Sequence, residues 1–251
     1  MSDHRQMEND VVARFTAEVY RRFHALHEQG EPLAYLVGSA LSGQDHDLAD
    51  YLFGARGRFA LIEFKADHAA VKTEIDKQAR RRLLELCIAD TGILRRAQRI
   101  HHFAWETLRQ VDLPLVGKSL VATIDLARYM PELAEKAGIA LDLAKSRRWT
   151  SDDFITSYLE VETVGANIRQ FRRYLEELYA IAGKAGSTEL GHFQGAVFMY
   201  FPGMANGAQI QTIRFTSFDN LMDMTINYER SLTRQHERAP PGKGQGLGRG
   251  R

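Results

Sequence analysis

Asp50-Tyr51-Leu52-Phe53-Gly54-Ala55-Arg56-Gly57-Arg58-Phe59-Ala60-Leu61-Ile62-Glu63-Phe64-Lys65 is the stretch whose reading decides the fold. Two apolar runs flank a Gly/Arg turn, the pattern of two antiparallel strands joined by a hairpin. With residues 55–58 as the loop, Phe53 pairs with Ala60 and Asp50 lies opposite Glu63. Residues two apart on a strand share a face, so Glu63 and Lys65 stand together, about 6–7 Å apart, while Ile62 and Phe64 fill the other face. The run is apolar on both faces up to Ile62, which marks a central strand with charges only at its end. This register gathers two carboxylates and one ammonium at a single point, a set suited to a hard metal ion.

An Asp at the start of one strand, followed by Glu-x-Lys at the end of the next apolar strand, resembles the PD-(D/E)XK nuclease superfamily, the restriction-endonuclease-like fold. The residues that carry the likeness are Asp50, Glu63, Phe64 and Lys65. The proline of the family name is absent, Ala49 standing before Asp50. The resemblance implies that Asp50 and Glu63 hold Mg²⁺ (or Mn²⁺) and that Lys65 orients the attacking water or neutralises developing charge. It also implies that Gln78, on the following helix, supports the site. Asp47 competes for the first ligand position but misses the register opposite Glu63 by three residues. A Glu-x-Lys pair also occurs on the solvated face of an edge strand; the apolar strand, the preceding Asp and the basic helix that follows argue against that here.

That helix is expected over residues 69–88, with Val71, Ile75, Ala79, Leu83 and Leu86 as its apolar stripe. Arg80, Arg81 and Arg82 read as a solvated face paired with Glu74, Asp76 and Glu85. Upstream, residues 9–27 form an amphipathic helix through Val11, Val12, Phe15, Val19, Tyr20, Phe23 and Leu26. Glu18 beside that stripe is a low-ranked acidic candidate for the metal region. Residues 33–41 read as a short strand or extended connection. Helix, strand, strand, helix is the order expected at the start of an α/β protein whose mixed sheet is flanked by helices. The expectation is thus a restriction-endonuclease-like core with an elaborated C-terminal half.

The chain has 251 residues, 44% of them hydrophobic, enough for one sizeable core in residues 1–232. Its formal charge is +1, so nucleic-acid binding would rest on local groups such as Arg95, Arg96 and Arg99, or Arg147 and Arg148, or Arg169, Arg172 and Arg173. Each group reads equally as a solvated face. A single cysteine, Cys87, excludes an internal disulfide and a cysteine-based zinc cluster. No secretory leader or membrane-spanning run is expected, which makes a cytoplasmic location the default.

Further on, residues 93–100 read as a helix and residues 101–105 as a short strand. His101 and His102 would face opposite ways and pack rather than chelate. A strand is expected over residues 119–126, and Pro131 and Gly138 bracket a helix. Ser151 reads as the N-cap of another helix, and residues 167–181 as a further one. Residues 194–201 and 209–218 form a hairpin, and residues 218–232 a closing helix or loop. From Thr233 onward, Pro240, Pro241 and five glycines signal a flexible basic tail. Nothing here matches a phosphate loop, a dinucleotide fingerprint or a nucleophile elbow.

Two functional readings follow from the resemblance. One is a metal-dependent nuclease acting on nucleic acid, with DNA the expected substrate. It would act alone, as a homodimer, or with protein partners in a multi-subunit system such as bacterial phage defence. The other is a non-catalytic interaction protein that keeps a degenerate version of the same fold. A third, weaker reading is a nucleic-acid binder acting through the basic tail.

Overall fold

A computed structural model describes residues 2–29, 35–41, 49–141, 148–161, 163–183, 193–201 and 209–238. The quoted stretch forms strands β2 (Tyr51–Ala55) and β3 (Arg58–Lys65), antiparallel, with Phe53 opposite Ala60 and Tyr51 opposite Ile62. The loop is shorter than the sequence suggests, because Ala55 already pairs with Arg58. Only Arg56 and Gly57 turn, both with positive φ (50° and 70°). This is the two-residue hairpin whose twist matches that of its strands. The register survives the correction, since one pair added on each side leaves every other pairing in place.

The remaining strands are β1 (Tyr35–Ala40), β4 (His101–Leu113), β5 (Gly117–Arg128), β6 (Arg148–Thr150), β7 (Ala166–Asn167), β8 (Gly195–Phe201) and β9 (Gln209–Phe215). They form one mixed sheet in the order β6-β5-β4-β3-β2-β1-β8-β9, with β7 paired to β3 off that path. β3 and β4 run parallel and the other pairs antiparallel. A parallel pair needs a crossover. Here it comprises a 3-10 helix (Ala69–Asp76), α2 (Gln78–Ala89) and α3 (Thr91–Ile100). The other helices are α1 (Ser2–Glu28), α4 (Tyr129–Lys136), α5 (Ser151–Thr156), α6 (Ile168–Ile181) and α7 (Phe218–Arg238).

Every residue of β2 and β3 is buried, as a central strand pair with helices on both faces requires. One face carries Phe59, Leu61, Phe103 and Trp105 beneath residues of α2, α3, α4, α6 and α7. The other carries Tyr51, Phe53, Ile62 and Phe64 beneath α1 and α5. Phe15 of α1 anchors that second layer, edge-on to Tyr51, Phe53 and Phe64. The architecture is therefore α/β, a mixed sheet flanked by helices.

Several sequence expectations need correction. The helix expected over residues 69–88 is broken at Lys77, whose backbone is extended (φ −77°, ψ 119°). The strand after Ile100 runs for 13 residues rather than five, because it pairs with β5 along its whole length. Thr150, not Ser151, caps α5, its hydroxyl accepting from Asp153 N. The helix after Phe218 continues to Arg238, beyond the expected end at residue 232. Leu221, Thr225 and Tyr228 bury one face of that helix, and no proline interrupts it before Pro240. Residues 239–251, the hairpin tip at 202–208, Asp47 and Arg147 lie outside the described residues.

His101 and His102 do face opposite ways. His101 stacks on Tyr129 at 3.9 Å and meets Tyr174 Oη at 3.0 Å, while His102 packs edge-on against Trp149 and Phe154. Among the described residues no helix is long and apolar enough to cross a membrane.

Candidate active site

One step beyond the Tyr51–Ile62 pair, Asp50 falls opposite Glu63. Asp50 Oδ2 accepts a hydrogen bond from Phe64 N at 2.7 Å, so its carboxylate closes the end of the ladder beside Glu63. Glu63 and Lys65 point to the face of β3 that carries Phe59 and Leu61, and Lys65 Nζ donates to Glu63 Oε1 at 2.9 Å. The hairpin register thus brings Asp50, Glu63 and Lys65 to one place.

Sequence reasoning missed four further charged members, Glu74, Arg80, Lys77 and Glu8. Glu74, in the 3-10 helix, receives Lys65 Nζ at 3.0 Å, Lys77 Nζ at 2.6 Å and Arg80 Nε at 3.3 Å. Tyr129 Oη donates at 3.1 Å to Oε2, the oxygen that Arg80 Nε meets. Arg80 is buried rather than solvated; its guanidinium lies over the Tyr129 ring and 3.6 Å from Glu63 Oε2. Lys77 lies 3.5 Å from Glu63 Oε1. The side chains of Glu63 and Glu74 are 2% and 0% exposed, whereas Lys77 is 50% exposed and stands between them and solvent.

The fourth comes from α1, and it is Glu8 rather than Glu18. Burial, the largest influence, raises the Glu8 carboxyl above its ordinary range; Lys65 opposes this, and Asp50 and Glu63 add to it. Glu18 lies ten residues on, about 15 Å along the helix axis. Gln78 is the first residue of α2, its side chain exposed, with no bond to the cluster found among the described residues. Arg80, two residues later, is the group of α2 that reaches the carboxylates.

A signal for Arg80 was present in the sequence. The buried face of α2 is Arg80, Leu83, Leu84 and Cys87, and the arginine falls in phase with the apolar stripe. An unbroken helix from residue 69 puts it out of phase. Nothing comparable marked Glu8 or Glu74.

Lys65 is a firm cation. Burial alone would lower its pKa, but Glu63, Glu74 and Asp50 carry it above the ordinary lysine value. It is therefore a donor and a positive charge, not a base. Four carboxylates (Glu8, Asp50, Glu63, Glu74) face three cations (Lys65, Lys77, Arg80), a formal balance of one negative charge.

The donor set fits a hard divalent cation. Among the described residues Glu63 Oε2 is a buried carboxylate oxygen with no hydrogen-bond partner, and Arg80 Nη2, 3.6 Å away, is the cation that faces it. Asp50 and Glu63 supply the one or two carboxylates that Mg²⁺ takes while keeping several waters. Among the described residues no group of three or more His, Cys, Asp or Glu side chains is arranged to enclose a metal ion. Comparison with protein-family models, curated proteins and solved structures finds no match to this chain.

Proposed function

We propose that this chain is a metal-dependent nuclease of the restriction-endonuclease-like type, with DNA its expected substrate and the Asp50–Glu63–Lys65 centre its active site. The observation that carries the reading is Glu63. It is a buried carboxylate at the end of a central strand, opposite Asp50, bonded to Lys65 through one oxygen and, among the described residues, without a hydrogen bond at the other, which Arg80 approaches at 3.6 Å. The element order α1, β1, β2, β3, crossover helices and a parallel β4 supports the same core.

Asp50 and Glu63 would hold Mg²⁺ (or Mn²⁺), which when bound lowers the pKa of a ligand water and offsets charge on a phosphate. Lys65, always protonated, places its ammonium where negative charge develops and donates to the oxygen that bears it. Glu74, braced by Arg80 and Tyr129, fixes the position of Lys65 without reaching the phosphate. Lys77, the half-exposed cation, lies on the path from solvent to Glu63.

A second reading has its own observation. Glu63 Oε1 is already shared by Lys65 and Lys77, as in an ion network that only braces the fold. On this reading the chain is a non-catalytic interaction protein.

Cleavage of labelled single- and double-stranded DNA and RNA, with Mg²⁺ or Mn²⁺ and with chelator, separates the two. The nuclease reading expects metal-dependent cutting that drops by about 10²-fold or more in Lys65→Ala, the size typical of losing one charge-stabilising donor. Thermal unfolding checks that the variant is folded. Folded wild-type protein that neither cuts any substrate nor binds Mn²⁺ sinks the nuclease reading and leaves the brace.

A further inference from the structure

A second polar cluster stands on the same face of the sheet, one strand over from Lys65. Register places it there. Lys65 pairs with Trp105 on β4, Trp105 with Asp125 on β5, and Asp125 with Thr150 on β6. The row behind it runs Glu63, Phe103, Ala127, Arg148. Paired residues in neighbouring strands point to the same face, so Arg148 shares the side of the sheet that bears Glu63 and Lys65.

Arg148 does not stay over β6. Its guanidinium lies 5.6 Å from the Trp105 ring centre, and the His68 ring lies 4.8 Å from the same ring. Glu132 of α4, wholly buried, holds both. Its Oε2 meets His68 Nε2 at 2.8 Å and its Oε1 accepts from Arg148 Nε at 3.3 Å. A carboxylate only accepts, so His68 Nε2 must carry the proton. Arg148 Nη2 lies 3.3 Å from the same Oε2 and 3.2 Å from that nitrogen, so Glu132 takes up the His68 donor and two of the arginine's nitrogens. One buried carboxylate serves both of them, and no hydrogen-bond partner of Arg148 Nη1 is found among the described residues. Both side chains reach solvent, His68 at 28% and Arg148 at 49% exposure. The Nη1 hydrogens of Arg148 are thus left, at the solvent edge, for an oxygen of an anion.

We propose that Arg148, held by Glu132 beside His68 and over Trp105, forms a second phosphate subsite for the nucleic-acid strand that the metal centre engages. The proposal rests on the nuclease reading of that centre. Trp105 is one strand spacing, about 5 Å, from Lys65 at the backbone, so the subsite takes a phosphate close to the scissile one in the same strand. Its contribution is backbone positioning, without base readout.

The test is anisotropy of a short fluorescein-labelled oligonucleotide, titrated with full-length protein over a range of salt. Ca²⁺ replaces Mg²⁺ so that nothing is cut, and Mn²⁺ binding is measured separately. Arg148→Ala should weaken binding about tenfold and lower the salt slope by about one, the signature of one lost phosphate contact. Arg148→Lys should restore the slope and only part of the affinity, since a point charge replaces a two-pronged donor. Arg148→Ala leaves Glu132 buried with less charge compensation, so Arg148→Gln with Glu132→Gln, neutral at both positions, serves as a second variant. It should show the same loss of slope. Unchanged slope and affinity in both variants overturns the subsite. So does wild-type protein that binds Mn²⁺ but no oligonucleotide, an outcome that leaves the metal centre standing. Slope loss in a protein that binds no Mn²⁺ upholds the subsite and fails the nuclease reading instead.

Discussion

Lys65 is an ammonium with little solvent, bonded to Glu63 and Glu74, and those carboxylates are held in turn by Lys77 and Arg80. Removing charges from water is expensive, and a network of this kind persists only where each charge is matched. His101 and His102 solve the same problem differently, by staying neutral. Burial, the largest influence on each, depresses His101 well below the usual histidine range and takes His102 down to about 3. Between about pH 6.5 and pH 3 the unfolded chain binds a proton at His102 that the folded chain refuses. Stability contributed by the neutral ring is therefore full above the unfolded value and is lost as pH falls through that window. The loss is at most about 1.4 kcal/mol per pH unit. Urea unfolding of wild type and His102→Gln at about pH 7 and about pH 4.5 checks this. The wild type should lose more stability than the variant on acidification; equal losses would refute the assignment.

The hairpin and the crossover show which elements sequence could announce. Two apolar runs around Arg56-Gly57 fixed the pairing of β2 with β3, and with it the meeting of Asp50, Glu63 and Lys65, because all three lie within 16 residues of each other. The break at Lys77 had no such signal. No glycine or proline stands there, and the extended backbone goes with the ion pairs that Lys77 and Arg80 make to Glu63 on β3, which are tertiary contacts. Reading through it shifted the helix phase and hid Arg80 and Glu74. Glu8 was hidden by distance, since its neighbours lie more than forty residues along the chain. The turn also carries a prediction. Arg56 sits at φ 50°, a region that costs a residue with an ordinary side chain about 1–2 kcal/mol but that Asn visits readily. Asn-Gly is the preferred pair for this turn. Arg56→Asn should stabilise by about 0.5–1 kcal/mol, read as a higher urea midpoint at unchanged slope. A lower midpoint would mean that contacts of the Arg56 side chain outweigh the strain.

On the scale of the whole molecule, chemistry gathers toward one side of the nine-stranded sheet. The proposed metal centre draws on residues between Glu8 and Arg80, and the proposed subsite extends it across β4 to Arg148 on β6. β8 and β9 widen the sheet beyond β1, on the other side of the β2–β3 hairpin. Residues 239–251 contribute none of these groups; they carry Lys243, Arg249 and Arg251 among glycines and two prolines. Three cations attract phosphate whatever the conformation of the segment that carries them, and the salt slope measures that directly, at about 0.7–0.9 per phosphate contact. Removing residues 239–251 should lower the slope of oligonucleotide binding by at most about 2–3. Metal-dependent cleavage and its dependence on Lys65 should remain. If the tail were the binding element, truncation would abolish oligonucleotide binding altogether, whatever became of Mn²⁺ binding at Asp50 and Glu63. Anisotropy and cleavage on the same truncated protein separate the two, because an element that only attracts phosphate changes affinity while an element that places charge changes the rate.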